Sequence, residues 1–319
     1  MKEPEYVDVA VIGGGPAGLA AALAAQHCGK KVLLIEREAR LGGILKQCIH
    51  DGFGLVRFGK KMAGPEYAEI FIDEVQRSSI EVALRTFAAR AEKTPDGTQL
   101  TLVSCTGVRS VLANSLGCRE RTARQVGIHG TRPAGIFTAG AAQYYTNVLG
   151  QLPTRRCVIL GSGDIGLIMA RRLTLEGAKV LGVYEAKQTP SGLSRNIAQC
   201  LTDFDIPLFT GHTVTRVFGK QRLTGVEIAQ VDAAMQPMAG TEKILGCDAL
   251  ILSVGLIPEN ELAETLGIPL DSRAKGPVCD QHYETLCDGI FACGNALHVN
   301  DLVDYVSESG EGAGRAAAE

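Results

Sequence analysis

The composition of this 319-residue chain excludes several classes of protein. Hydrophobic residues make up 45% of it, which is enough to form buried cores and excludes an intrinsically disordered chain. At about 150 residues per domain, the length predicts two domains. The 32 basic and 35 acidic residues give a net charge of −3, without the basic excess typical of nucleic-acid binding. No nucleic-acid partner is therefore expected.

The ten cysteines are scattered, and no two of them form a CxxC pair or stand at zinc-ligand spacing. We therefore expect no metal site. The longest uncharged segment, residues 9–28, is interrupted by three glycines and a proline and follows acidic residues, so neither a membrane span nor a signal peptide is predicted. Scattered thiols without an export signal favour a reducing compartment, and the expected location is the cytoplasm.

The first predicted elements in chain order are a strand, a glycine turn, a helix and a second strand. The segment Val9-Ala-Val-Ile-Gly-Gly-Gly-Pro-Ala-Gly18 places glycines at positions 13, 15 and 18. A helix of about three turns follows, and the next strand ends at Glu36. The GxGxxG spacing favours dinucleotide binding, because its glycines permit a tight turn, the approach of a pyrophosphate and close packing of helix on strand.

The same pattern returns in the second half of the chain, which makes it an internal repeat. The segment Val158-Ile-Leu-Gly-Ser-Gly-Asp-Ile-Gly166 has glycines at positions 161, 163 and 166, and the next predicted strand ends at Glu185. In both copies the helix N-terminus attracts a phosphate, and the acid accepts a ribose hydroxyl. Two dinucleotide sites in one chain predict two cofactors that exchange electrons.

Two later segments are apolar strand candidates that end at a glycine. Residues 250–260 contain Gly255, and residues 285–295 end in Gly294 and Asn295. A helical tail is predicted from Val306 to Ala318. Each segment alone is typical of a core strand, but their order after the two repeats carries further information.

With these motifs in this order, the sequence resembles the two-dinucleotide-domain flavoprotein superfamily that includes thioredoxin reductase. The resemblance implies that the first repeat binds FAD, that the second binds NAD(P)H, and that a late motif, in which Asn295 replaces the usual aspartate, holds the ribityl phosphate region. The cofactor contacts expected on this basis are Gly13, Gly15, Pro16, Ala17, Gly18, Glu36, Arg37, Gly42, Gly43, Gln47, Gly117, Gly161, Gly163, Asp164, Ile165, Gly166, Glu185, Gly255, Gly294 and Asn295.

The resemblance also implies the fold class. We expect an α/β protein of two Rossmann-like three-layer dinucleotide-binding domains, with the NAD domain inserted into the FAD domain. The expected boundaries place residues 1–117 and 246–319 in the FAD-binding domain and residues 118–245 in the NAD(P)H-binding domain. Asn114 and Ser115 depart from the family pattern, because they interrupt the apolar strand that is expected before Gly117.

Several segments narrow the resemblance to a subfamily. They are similar to the alpha chain of sarcosine oxidase and, more closely, to the flavoprotein partner of anaerobic glycerol-3-phosphate dehydrogenase subunits. The segments are residues 41–50, 64–67, 117–121, 130–140 and 161–166. Members of this subfamily work inside multi-subunit dehydrogenases, so we expect an oligomeric protein with a partner dehydrogenase or electron-transfer subunit.

Cys48 is the candidate redox residue, because it follows the glycine pair that the resemblance places beside the flavin ring. A thioredoxin-reductase activity needs a second, resolving thiol, and the CxxC motif is absent. A single thiolate next to the flavin could instead cycle through a sulfenic acid, whereas the alternative is a buried, inert cysteine. Lys46 and His50 flank Cys48, and either could donate to the flavin or buffer a proton near N5.

The function expected from these residues is hydride transfer between NADH and FAD, as an electron-transfer subunit of a multi-subunit dehydrogenase. Glu185 favours NADH over NADPH, because a carboxylate accepts from a free 2′-hydroxyl and repels a 2′-phosphate. Two alternatives remain. One is a single-cysteine disulfide or peroxide reductase that uses Cys48, and the other is an assembly subunit that holds FAD without catalysing a reaction.

Overall fold

The computed structural model describes residues 4–117, 121–123 and 128–319. The chain divides into two compact units. Unit 1 comprises residues 1–122 and 257–319, and unit 2 comprises residues 123–256, so unit 2 is inserted into unit 1. This arrangement confirms the expected order of an inserted domain within a discontinuous one.

The strands of the first segment of unit 1 precede those of unit 2 along the chain. They are β1 (Glu5–Ile12), β2 (Val32–Ile35), β3 (Asp51–Phe53), β4 (Met62–Ala63), β5 (Glu81–Ala83), β6 (Thr86–Thr94), β7 (Gly97–Ser104) and β8 (Gly107–Gly117). The remaining strands are β9 (Arg121–Ala123), β10 (His129–Gly130), β11 (Ile136–Thr138), β12 (Arg156–Leu160), β13 (Lys179–Glu185), β14 (Leu208–Thr210), β15 (His212–Gly219), β16 (Leu223–Gln230), β17 (Lys243–Leu245), β18 (Ala249–Leu252) and β19 (Leu256–Pro258).

The helices alternate with strands in both units. The α-helices are α1 (Pro16–His27), α2 (Gly64–Arg77), α3 (Ala139–Asn147), α4 (Asp164–Leu175), α5 (Ser194–Cys200), α6 (Glu261–Thr265) and α7 (Val303–Ala316). Short 3₁₀ turns occupy Gly43–Gln47, Thr202–Phe204 and Gly294–Ala296. In the described residues no helix is long and apolar enough to cross a membrane.

Unit 1 is built on a six-stranded sheet in the order β5-β2-β1-β8-β7-β6. Strands β5, β2, β1 and β8 are parallel, and β6 and β7 extend the sheet as an antiparallel meander. One apolar cluster joins Val9 and Val11 to Leu19 of α1 and Phe71 of α2. A second cluster covers the other side of the parallel strands. Both sides of this region are buried, as is usual for parallel sheets.

Unit 2 contains a five-stranded parallel sheet in the order β11-β18-β12-β13-β14. Helices α3, α4 and α5 pack on one face through a cluster that includes Ile159 and Leu167. On the other face, Val158 and Leu160 pack against Val226 of the four-stranded sheet β10-β15-β16-β17. The result is a three-layer α/β unit, and the expected Rossmann-like fold class is confirmed.

The division between the units differs from the expected boundaries at 117/118 and 245/246. The first expected boundary borders residues 118–120, which lie outside the described residues. The second is wrong, because β18 pairs in parallel with β12 and β11 and therefore completes the sheet of unit 2. The chain returns to unit 1 only after residue 256.

Three local expectations have clear outcomes. Strand β8 runs through Asn114 and Ser115 without interruption, because it pairs with β1 along this stretch. The strand expected over residues 285–293 is wrong, since a tight turn at Gly289 (φ 71°) divides the segment and leaves only isolated bridges. The C-terminal helix is present, but it begins at Val303 and ends at Ala316.

Candidate dinucleotide-binding sites

The first glycine turn connects β1 to α1 at the carboxyl end of the parallel strands. Gly13 has a φ of 103°, and its N–H donates to the Ile35 carbonyl oxygen at 2.8 Å. A Cβ atom at Gly18 would overlap the carbonyl oxygen of Gly13, so helix α1 lies directly against the turn. No side chain caps α1, and the N–H groups of its first turn point toward the space where a phosphate would bind.

Glu36 follows β2 and lies beside this turn. Its side chain is buried, with 5% of the residue exposed. Oε2 accepts from the Gly14 N–H at 2.7 Å, and Oε1 accepts from the Glu38 N–H at 2.7 Å. The two backbone donors fix the carboxylate at the edge of the glycine turn.

A pocket of about 360 Å³ opens next to Glu36. Its lining residues are Ile12, Gly13, Ile35, Glu36, Arg37, Thr86, Phe87, Ala88 and Glu259. Arg37 Nη1 forms an ion pair with Glu259 Oε2 at 3.0 Å across this pocket. The turn, the acid and the pocket are therefore adjacent, which is the arrangement that the adenosine half of a dinucleotide needs.

The late motif meets the first turn in space although it is distant in sequence. Gly294 has a φ of 62°, and a Cβ atom there would lie 2.7 Å from the Ala17 Cβ. Helix α7 follows, and Gly310 packs so closely that a Cβ would overlap the Ala17 carbonyl oxygen. Asn295 Oδ1 accepts from the Asn300 N–H at 3.0 Å, so the side-chain amide group is the part that can donate to a ligand.

The second glycine turn, between β12 and α4, repeats the geometry of the first. Gly161 has a φ of 98°, and a Cβ there would overlap the Ser253 carbonyl oxygen. A Cβ at Gly166 would lie 2.7 Å from the Gly161 carbonyl oxygen. A Cβ at Gly163 would meet nothing closer than Ser253 Oγ at 3.8 Å. The first and third glycines are thus required by packing, and the middle one leaves room for a ligand.

Glu185 is the counterpart of Glu36 and is also buried, with 7% exposed. Its Oε2 accepts from Ser162 N at 3.0 Å, from Ser162 Oγ at 2.6 Å and from Ser191 Oγ at 3.2 Å. Its Oε1 accepts from Lys187 N at 3.0 Å. Burial alone would raise the pKa of Glu185, but these hydrogen bonds outweigh burial and hold the pKa below its ordinary value.

The segment after β13 folds back over the second turn. Ser191 N donates to Ser162 Oγ at 2.9 Å, and a Cβ at Gly192 would lie 2.7 Å from the Ser162 carbonyl oxygen. Asp164, in the first turn of α4, accepts from Leu193 N at 2.9 Å and from the Asn196 side-chain amide at 2.7 Å. Asp164 Oδ1 therefore bonds to this segment.

The three candidate catalytic residues make local contacts. Cys48 is buried, and its Sγ donates to the Ile44 carbonyl oxygen at 3.3 Å. Lys46 Nζ donates to the Arg40 carbonyl oxygen at 2.8 Å. His50 Nδ1 lies 3.1 Å from the Asp51 carbonyl oxygen, and in the described chain its buried Nε2 has no hydrogen-bond partner.

The other predicted contacts are distributed between the units. Gly42 and Gly43 both have positive φ angles, and Gly42 N donates to the Gly14 carbonyl oxygen at 2.7 Å, which places this pair beside the first turn. Gln47 and Gly117 are buried in unit 1. Gly255 lies in unit 2 with a φ of 106°.

Sequence reasoning missed the serines that bind Glu185 and the glutamate that pairs with Arg37. Ser162 carried a usable signal, because it stands where the first turn has Gly14. Ser191 and Glu259 carried none, since each reaches its partner only through folding. Among residues 4–117, 121–123 and 128–319, no group of three or more His, Cys, Asp or Glu side chains could hold a metal ion.

A family model described as pyridine nucleotide-disulphide oxidoreductase matches residues 7–313. The chain belongs to this family. The protein is therefore a flavoprotein oxidoreductase of a family that binds FAD and uses NAD(P)H. The narrower relationship to sarcosine oxidase and glycerol-3-phosphate dehydrogenase partners rests on the sequence segments alone.

Individual relatives agree with the family. The chain is 28% identical to hydrogen cyanide synthase subunit HcnB of Pseudomonas protegens, over 81% of this chain and 58% of that protein. It is 25% identical to an opine oxidase subunit from Agrobacterium tumefaciens, over 98% of this chain and 65% of that protein. The chain thus spans about three fifths of the length of these relatives. Thioredoxin reductase of T. acidophilum has the same fold, with a TM-score of 0.80 at 21% identity over 98% of both chains.

The residues of unit 1 fit the FAD that the family implies. The uncapped N-terminus of α1 suits the pyrophosphate, and Glu36, with two backbone donors on its carboxylate, can accept from a ribose. The adjoining pocket suits an adenine base. No metal is needed to complete this arrangement.

Proposed function

We propose that this protein is an FAD-dependent NADH oxidoreductase, with FAD in unit 1 and NADH in unit 2. The observation that carries the proposal is the duplicated arrangement of a glycine turn, an uncapped helix and a buried acid that bonds to the middle residue of the turn. Gly14 donates to Glu36 in one copy, and Ser162 donates to Glu185 in the other. Two dinucleotides in one chain favour electron exchange between them.

The contribution of the chain in this proposal is binding and orientation. When bound, FAD accepts a hydride at N5 of its flavin ring. The first turn of α1 holds the pyrophosphate, Glu36 accepts from the adenosine ribose, and the Asn295 amide donates to the ribityl region. In unit 2, Glu185 selects the dinucleotide that lacks a 2′-phosphate, because a buried carboxylate repels a phosphate group.

We further propose that the protein transfers electrons to or from a partner dehydrogenase subunit, in the cytoplasm. Two relatives are themselves named as subunits of larger enzymes. The resemblance to the partner of anaerobic glycerol-3-phosphate dehydrogenase supports the same role. In the described part of the chain, nine cysteines are thiols outside any disulfide, which agrees with a reducing compartment.

The test is anaerobic mixing of the FAD-loaded protein with NADH in a stopped-flow instrument. We expect rapid loss of the flavin absorbance, and slower or weaker reduction by NADPH. The variant Gly15→Val should lose FAD, because a side chain at the N-cap of α1 projects into the phosphate site. A protein that retains oxidised FAD in excess NADH would instead support a scaffold role, and a preference for NADPH would contradict the role of Glu185.

A further inference from the structure

The carboxylates of Glu36 and Glu185 are held by the same backbone frame. The middle residue of each turn donates its N–H to Oε2, from Gly14 in one unit and from Ser162 in the other. The residue two positions after each acid donates its N–H to Oε1. The two acids therefore occupy equivalent places, and their remaining hydrogen bonds can be compared directly.

The two acids differ in how much accepting capacity remains. An ionised carboxylate has about four acceptor positions. Within the described part of the chain, Glu36 accepts from two donors, which leaves two positions for the two hydroxyls of a ribose. Glu185 accepts from four donors, because the hydroxyls of Ser162 and Ser191 add to the backbone pair. The two serine hydroxyls take up the capacity that a ribose diol would use.

The same serines tie the overlying segment to the turn. Ser191 N donates to Ser162 Oγ, Gly192 packs against the Ser162 carbonyl oxygen, and Leu193 N donates to Asp164. Ser162 is fully buried beneath these contacts. Asp164 also places a carboxylate in the first turn of α4, where its negative charge opposes that of a pyrophosphate. Residues 191–193 thus close the second turn from above.

We infer that Ser162 and Ser191 substitute for a ribose diol on Glu185, and that a nicotinamide dinucleotide binds unit 2 only after residues 191–193 detach from the turn. This inference rests on the proposed assignment of that nucleotide to unit 2. The closed conformation competes with the ligand, so it weakens the apparent affinity by the fraction of molecules that are open. Removing either hydroxyl favours the open form and frees an acceptor position on Glu185.

The test is calorimetric titration of NAD⁺ into the FAD-loaded, oxidised protein, because this pair cannot transfer a hydride. The variants are Ser191→Ala and Ser162→Ala, and the control is Ser194→Ala, an exposed residue in the first turn of α5. We expect the dissociation constant to fall by about fivefold in each test variant, the effect of one hydrogen bond, and to stay unchanged in the control. An analogue of NAD⁺ with a 2′-deoxyadenosine ribose should gain less, since it offers one hydroxyl fewer.

Three outcomes would overturn the inference. They are equal affinity in the wild type and both test variants, an equal gain for the deoxy analogue, and absence of NAD⁺ binding in all of the proteins. A second measurement is amide hydrogen exchange in residues 188–197, which should become faster when NAD⁺ saturates the wild type, and unchanged or slower exchange would contradict detachment. If NAD⁺ binds as expected but NADH never reduces the flavin, the proposed function fails and the inference stands.

Discussion

At the scale of single residues, the third glycine of each turn is required by packing and not by a ligand. A Cβ at Gly18 would overlap a backbone carbonyl oxygen that cannot move without distorting the turn. We expect Gly18→Ala to lower the free energy of unfolding by about 3 kcal/mol, the upper range for overpacking. The measurement is urea denaturation, and the control is Gly246→Ala, where the nearest atom to the new Cβ would be 3.9 Å away. A loss below about 0.5 kcal/mol in Gly18→Ala would contradict the packing argument.

The hydrogen bonds to Glu185 predict a pH dependence of stability. Its pKa is held below the ordinary value of 4.5, so the stabilisation is present above pH 4.5 and is lost as the pH falls through the lower folded-state value. We expect Glu185→Gln to lower the free energy of unfolding by about 2 kcal/mol at pH 7, the range for a hydrogen bond to a charged group. Denaturation at pH 7 and at about pH 3.5 should show the difference shrinking below the ordinary pKa. A difference that is the same at both pH values would exclude this origin.

At the scale of elements, the contact between α1 and α7 links the two distant parts of the first site. Gly310 and Gly314 of α7 lie against the carbonyl oxygens of Ala17 and Ala21, where a Cβ would overlap them. We expect Gly310→Ala to push α7 away from α1, to displace Gly294 and to reduce the FAD content of the purified protein by at least half. The control Glu308→Ala changes an exposed position of the same helix and should retain FAD. Full FAD content in Gly310→Ala would show that this contact does not shape the site.

At the scale of the whole molecule, the electron capacity distinguishes the proposed function from a cysteine-based reductase. Cys48 is buried and bonded to a carbonyl oxygen of its own loop, so we expect it to tune the flavin without storing electrons. Anaerobic titration should deliver two electrons per FAD in the wild type and in Cys48→Ser. The variant should keep its FAD and be reduced by NADH within about tenfold of the wild-type rate. Uptake of four electrons by the wild type, falling to two in the variant, would favour a flavin–cysteine pair.

The sequence by itself determined the repeated βαβ units and the fold class. Hydrophobic periodicity and glycine spacing are local, so the strands before positions 13 and 161, the 12-residue helices after them and the positions of Glu36 and Glu185 could all be predicted. The same local signals misled at residues 285–293, where an apolar run folds into a turn around Gly289.

The tertiary structure alone decided which distant residues meet. Strand β18 belongs to unit 2 because it finds its partner in β12, and no local pattern encodes that pairing. Gly294 reaches Ala17 only because α7 packs on α1. Ser191 is six positions from Glu185 in sequence, yet its hydroxyl reaches the carboxylate only because the chain turns back over the second glycine turn. Hydrogen bonds between side chains depend on direction and on distances of about 3 Å, and these are fixed by packing and not by residue order.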